Sequence, residues 1–375
     1  MFQLLKESAS TSARLGELTT AHGTIPTPIF MPVGTQGTVK AIHQTTLTSR
    51  IDAKIILGNT YHLYLRPGTG ILSEAGGLHA FMNWPRPILT DSGGYQVFSL
   101  SHNRQFEEDG VIFKSHHDGS MHTFTPESVV DIQRVIGSDI MMVLDECPPF
   151  PSTPEYVKTS LDRTHRWAAA ARRYFLSTEG RYGWKQHQFG IVQGSVYPEW
   201  RKISAEFIAS LDFEGNAIGG LSVGEPAEMM YENTAVVNGI LPKNKPRYLM
   251  GVGTPANILE SVALGVDMFD CVMPTRNARN GQIFTRNGIV NIRNAKWKTH
   301  FKPLDEGFET FMNTHHTAAY LHHLFRAEEI LGIMLATEQN LKLYLWLANE
   351  IRTRIADGTF DGWYKGAIAT LSQRL

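Results

Sequence analysis

"RYLMGVGTPANILESVALGVDMFD" (residues 247–270) holds two apolar, strand-like runs on either side of one helical pattern. "RYLMGVG" (247–253) and "VDMFD" (266–270) are short enough for strands, and "TPANILESVALG" between them opens on Thr-Pro. A threonine hydroxyl can cap a helix there, and proline lacks only an N–H that the first turn leaves unpaired anyway. Strand, helix and strand in succession predict a crossover unit with its two strands parallel. The alternation recurs outward from this stretch. Six more candidate strands precede it: "PIFMPVG" (28–34), "KIILGNT" (54–60), "PILTD" (87–91), "DIMMVLD" (139–145), "FGIVQG" (189–194) and "NAIGG" (216–220). Helical patterns separate the later members, among them "TPESVVDIQRVIG" with Thr125 as cap and Pro126 at the first position. Eight repeats predict an α/β fold of the (β/α)8 TIM-barrel type, with a doubly wound open sheet as the other arrangement the pattern allows.

Two segments break the alternation. "EEDGVIFKSHHDGSMHTF" (107–124) reads as an inserted antiparallel hairpin, and "GQIFTRNGIVNIRNAKWK" (281–298) as another turning at Asn287-Gly288. A largely helical tail runs from Ala318 to about Arg354 and predicts a C-terminal helical subdomain. The 375 residues show no solenoid repeat and no low-complexity linker, so one domain over 1–375 is expected. With 42% hydrophobic residues and a net charge of −1, the composition is that of a soluble enzyme. No signal-like or membrane-length apolar run is present, and Cys147 and Cys271 are too few for a disulfide framework. A cytoplasmic protein is expected.

Barrel active sites sit where the strands end. Asp91, Asp145, Gln193, Gly219-Gly220 and Asp270 each close an apolar run, so three carboxylates and a carboxamide are expected at one mouth. Two facing carboxylates suit glycosidic-bond chemistry, one attacking the anomeric carbon and one handling the leaving group's proton. A further Asp with a Gln beside bare glycine backbone suits a flat, purine-like base. In "DSGGYQVF" (91–98), Gly93 and Gly94 let backbone approach a ligand and Tyr95 offers a stacking face. Just beyond Asp270, the stretch from Arg276 to Lys298 carries Arg276, Arg279, Arg286, Arg293, Lys296 and Lys298 without one acidic residue. In a chain of balanced charge, that strip predicts a polyanion beside the mouth, and RNA fits its interleaved Asn277, Asn280 and Asn294.

"LTDSGGYQVFSL" (89–100), "MVLDECPPFP" (142–151), "GIVQGS" (190–195), "GGLSVGEP" (219–226), "RYLMGVGTP" (247–255) and "GVDMFDCVMPTRNARNG" (265–281) together resemble the tRNA-guanine transglycosylase family over nearly the whole chain. The resemblance implies exchange of guanine at the wobble position of GUN-anticodon tRNAs for a 7-deazaguanine, in queuosine biosynthesis. It implies Asp270 as nucleophile and Asp91 as general acid/base. For the base it implies Ser92, Gly93, Gly94, Asp145, Gln193, Gly219, Gly220 and Leu221, with Tyr95 and Met250 as stacking faces. For the tRNA it implies Gly251, Val252, Gly253, Thr254, Pro255, Ala256 and Asn257, with Thr275, Arg276, Asn277, Ala278 and Arg279. Cys147 and Val223 match bacterial members and point to 7-aminomethyl-7-deazaguanine. A homodimer is implied, with His316, Tyr320 and His323 near its interface. Two alternatives stay open: a non-catalytic RNA-binding subunit, which the presence of both Asp91 and Asp270 argues against, and a queuine-salvaging enzyme.

The chain departs from the family at one place. Members hold structural zinc with C-x-C-x-x-C and a later histidine, within the segment matching 303–357 here. In this sequence those four positions are Phe308, Thr310, Asn313 and Gln339, so the expected cofactor is none and the expected metal is none. Phe308, Phe311 and Met312 predict an apolar plug in the metal's place. The nearby His315, His316, His322 and His323 are poor substitutes: adjacent helix positions point about 100° apart, and pairs seven apart lie roughly 10 Å apart along the axis.

Overall fold

The computed structural model describes residues 1–100 and 104–375, and eight parallel strands close into a barrel. They are β1 (Ile29–Met31), β2 (Ile56–Asn59), β3 (Ile88–Asp91), β4 (Ile140–Met142), β5 (His187–Val192), β6 (Gly215–Ile218), β7 (Arg247–Leu249) and β8 (Met268–Asp270). All eight lie where the sequence places them. The seam between β1 and β2 is sealed by Gly34 N–H to the Leu57 carbonyl at 2.7 Å and Leu57 N–H to the Pro32 carbonyl at 3.0 Å, which rules out the open sheet. Strands buried on both faces explain why the runs are continuously apolar rather than alternating.

The helices between strands start as their sequences dictate. Thr125 accepts the Ser128 N–H at 3.1 Å and Thr254 accepts the Asn257 N–H at 3.2 Å, each with proline next in the chain. A cap of this kind contributes about 1 kcal/mol and fixes where the chain leaves the strand.

Beneath the barrel lies an antiparallel sheet of Phe2–Glu7, Arg14–Thr20 and Gly23–Thr27, which the sequence reading did not contain. It is pinned at the strands' N-terminal ends. Buried Arg14 donates from Nε to Asp267 at 2.9 Å and to the carbonyls of Lys243 and Lys245. His22 stacks on His79 at 3.7 Å, and both rings face the buried Asp139 carboxylate.

The insertion after β3 is a three-stranded sheet, Arg104–Glu107, Gly110–Lys114 and Met121–Phe124, one strand more than the expected hairpin. Tyr61 and Tyr64, which follow β2, bond its His116 and His122 at 2.9 and 3.0 Å. The second hairpin pairs Gln282–Thr285 with Gly288–Asn291. Thr285 pairs with Gly288, so the turn is Arg286-Asn287, one residue earlier than read. Gly288 is held at φ +134°, and a Cβ there would meet the Gln373 carbonyl oxygen at 2.5 Å.

Helices Phe311–His315, Ala318–Arg326, Ile330–Asp357 and Phe360–Ser372 form the C-terminal subdomain. Met312, Leu321 and Leu324 share a small second core with Ala278, Ile283 and Val290 of the basic strip. The long helix also reaches the barrel, where Tyr344 packs on Phe30 and donates to the Gly253 carbonyl at 3.0 Å. The histidine-rich turn gathers no ion-binding set: His316 is extended between two helices, His322 is buried against the Ile292 carbonyl at 2.7 Å, and His315 and His323 face solvent. Among the described residues no helix is long and apolar enough to cross a membrane.

Candidate active site

Asp91 and Asp270 end β3 and β8, which lie three strands apart round the barrel and so face each other across its mouth. The Asp91 carboxylate accepts the N–H groups of Thr60 and Gly93 at 3.2 and 3.1 Å and the Asn59 amide at 2.5 Å. Burial, and beyond it the Asp270 charge, nevertheless raise its pKa to about 7. Such a group gives and takes protons near neutrality. Asp270 is also raised by burial, though two donors favour its ionised form. These are the Tyr248 hydroxyl at 2.6 Å and the Gly251 N–H at 2.7 Å, and both reach Oδ1. They hold the carboxylate in one orientation and leave Oδ2 for chemistry. Tyr248 was missed in the sequence, where it reads as one more core aromatic; it is buried on β7, beside β8.

The second carboxylate set stands beside them. The Asp145 carboxylate accepts the Gln193 amide at 2.7 Å and the Ser92 hydroxyl at 3.3 Å, while the Ser92 oxygen accepts the Gly94 N–H at 3.2 Å. Burial lifts the Asp145 pKa to about 6 against the pull of the Gln193 and Ser92 bonds. The glycines here are forced by close approach. A Cβ on Gly94 would meet the Asp145 carbonyl oxygen at 2.6 Å, and one on Gly220, at φ +64°, would meet Gln193 Oε1 at 2.2 Å. Gln193 Oε1 is buried without a protein partner, an acceptor that a bound donor can satisfy. Gly219 and Leu221 flank Gly220 at the end of β6, and both are buried. Tyr95 is 53% exposed and Met250 half-buried, so both keep accessible surface for a flat ring.

Arg201 braces the strand ends that carry these groups. It is completely buried, and its guanidinium donates to the carbonyls of Ser195 (2.7 Å), Val192 (3.1 Å), Gly219 (2.6 Å) and Gly220 (3.0 Å). One side chain thus ties the end of β5, which carries Gln193, to the end of β6. Sequence reasoning missed it as well, because a cation in "YPEWRKISAEF" reads as helix surface.

Beyond Asp270 the chain turns into helix Met273–Arg279. Arg276 is exposed there; Arg279 is half-buried, and its Nη1 has no protein partner. Other residues expected to meet RNA also make contacts within the protein. Thr254 and Asn257 form a capping box, Asn277 bonds Gln282 at 2.7 Å, and Val252, Gly253, Pro255, Thr275 and Ala278 are buried. Gly251 is exposed and Ala256 partly so. Arg286 is not free either: it pairs with Asp305 at 2.9 Å.

A sequence profile described as Queuine tRNA-ribosyltransferase matches residues 8–373. The chain belongs to the queuine tRNA-ribosyltransferase family. Among its relatives, the queuine tRNA-ribosyltransferase of Natranaerobius thermophilus is 54% identical over 96% of both chains. That of Caldanaerobacter subterraneus subsp. tengcongensis is 53% identical over 94% of this chain and 93% of its own. The barrel, with Asp91 and Asp270 ending facing strands and Gly94 and Gly220 packed beside Asp145 and Gln193, is thus that of a member of this family.

Proposed function

We propose that this family member exchanges guanine at the wobble position of GUN-anticodon tRNAs for 7-aminomethyl-7-deazaguanine. The observation that carries the reading is the pair Asp91 and Asp270, facing across one mouth with Asp270 Oδ2 free. In the first half-reaction, Oδ2 bonds to ribose C1′ as the C1′–N9 bond breaks, and Asp91 gives its proton to the departing guanine. In the second, Asp91 takes a proton from the incoming base, whose N9 displaces Asp270 from C1′. Two displacements at one carbon give net retention. Asp145, Gln193 and the Gly220 backbone read the base edge, and Tyr95 and Met250 sandwich its faces. Val223, in the loop braced by Glu225 at 2.9 Å, and Cys147 limit the space for a larger 7-substituent.

The chain acts as a homodimer. Tyr320, 39% exposed, is 5.0 Å from His316 and 6.4 Å from His323, ring to ring, and Ile330 and Leu331 are also exposed in this region. Such a surface is apolar enough to bury against a copy of itself.

Incorporation of labelled bases into GUN tRNA tests the substrate. 7-Aminomethyl-7-deazaguanine is expected to outcompete queuine, and equal incorporation of the two would contradict the assignment. In the same assay, Arg276→Ala and Arg279→Ala are expected to raise KM for tRNA on the order of 10-fold each, leaving KM for the free base unchanged. A change confined to the free base would remove both residues from RNA recognition.

A further inference from the structure

Phe308, Thr310, Asn313 and Gln339 stand where the resemblance places a zinc ion's ligands, and the fold does bring them together. They do not suit the metal. None is a thiolate or an imidazole, the ligand types structural zinc sites use. Their polar atoms are also already committed. Gln339 Oε1 accepts the Thr310 hydroxyl at 3.0 Å and the Asn313 amide at 2.8 Å, while Gln339 Nε2 donates to the Phe284 carbonyl at 3.2 Å. Asn313 donates also to the Phe308 carbonyl at 3.1 Å and accepts the Asp305 N–H at 3.1 Å. All four side chains are buried, and none of their polar atoms is left without a partner. Of the expected plug of Phe308, Phe311 and Met312, Phe308 packs against Trp346 under the Arg286 guanidinium and Met312 is buried in the second core, while Phe311 is only half-buried. Between the four positions themselves stands a hydrogen-bonded polar set instead of an apolar filling.

We infer that Thr310, Asn313 and Gln339 form a metal-free hydrogen-bonded lock that fastens the RNA-facing hairpin to the C-terminal helices. The next residue extends it. Buried Asn340 accepts the Phe284 N–H at 2.8 Å and donates to the carbonyls of Pro274 and Gln282, both at 3.0 Å. Two consecutive amides on the long helix thus hold both hairpin strand Gln282–Thr285 and the helix that carries Arg276 and Arg279. A ligand-bound ion fixes such a segment through a few bonds that chelators and protons can remove. The bonds among these amides and the hydroxyl need no metal and contain no titrating group.

Thermal unfolding of the full chain with and without excess chelator, together with metal content, tests the lock. Melting is expected to be indifferent to chelator. Gln339→Leu, which keeps volume but removes the amide, is expected to lower Tm by roughly 5 °C and to remain indifferent to chelator. Both measurements are repeated in His22→Gln, so that an ion at the barrel's opposite end is not counted. About one zinc per chain that His22→Gln retains, with a Tm that falls when it is stripped, would overturn the inference. An unchanged Tm in Gln339→Leu would overturn it too. If that variant does not fold, the chelator arm on the native sequence still decides. The inference rests on family membership and not on the substrate, so its failure leaves base exchange standing, and failed exchange leaves the lock standing.

Discussion

Asp270→Asn is expected to lower incorporation of labelled guanine into GUN tRNA by on the order of 10⁴-fold or more, the scale seen when a covalent nucleophile is removed. The substitution suits the question because it disturbs little else. The asparagine carbonyl can still accept the Tyr248 hydroxyl and the Gly251 N–H that now hold Oδ1. What disappears is the anionic Oδ2 proposed to form the bond to C1′. Binding of the free base, which the proposal assigns to Asp145, Gln193 and the Gly220 backbone, is expected to stay within a few-fold of the native value. Exchange that survives in Asp270→Asn would remove this residue from its role.

The second large effect concerns Asp91. In the proposed exchange, release of guanine needs Asp91 protonated, and capture of the incoming base needs it ionised. With its pKa raised to about 7 by burial and then by the Asp270 charge, both forms are populated near neutrality. The sign follows directly. Formation of the covalent intermediate is expected to fall tenfold per pH unit above that value, as the protonated acid is lost, and to fall again at low pH once Asp270, also raised by burial, takes up a proton. Discharge by the incoming base runs the other way and slows as pH falls. Because the two carboxylates interact, each limb reports the pair. Asp91→Asn is expected to cost roughly 10²- to 10⁴-fold in both half-reactions and to abolish the alkaline limb of the first. Single-turnover rates across pH measure this, and a limb that persists unchanged in the variant would assign it to another group.

The barrel was legible because its strands are buried on both faces, which leaves unbroken apolar runs such as "KIILGNT" in the sequence. The sheet beneath it was not. Phe2–Glu7 is mostly exposed, so "FQLLKE" lacks the run that marked the others, and its partners carry polar and charged residues on their open face. The turn at Arg286-Asn287 was misplaced by one residue because an Asn-Gly pair is a strong turn signal, whereas Gly288 is needed for its close approach to Gln373. At the site, the carboxylates could be read because each ends an apolar run. Tyr248 and Arg201 could not, since their meaning lies in contacts with Asp270 and with four distant carbonyls. The same holds for Gln339. Its position followed from the resemblance, but only the packing shows a hydrogen-bonded amide where an apolar filling was expected.

The central claim is a covalent bond between this chain and its tRNA through one carboxylate. Incubating the native protein with GUN tRNA while removing released guanine, then denaturing the mixture and mapping the attachment by mass spectrometry, tests it most directly. A ribose-linked peptide attached at Asp270, cleared on adding 7-aminomethyl-7-deazaguanine, is the predicted result. Attachment at Asp91 or elsewhere, or base exchange proceeding with no attached RNA at any time, would contradict it.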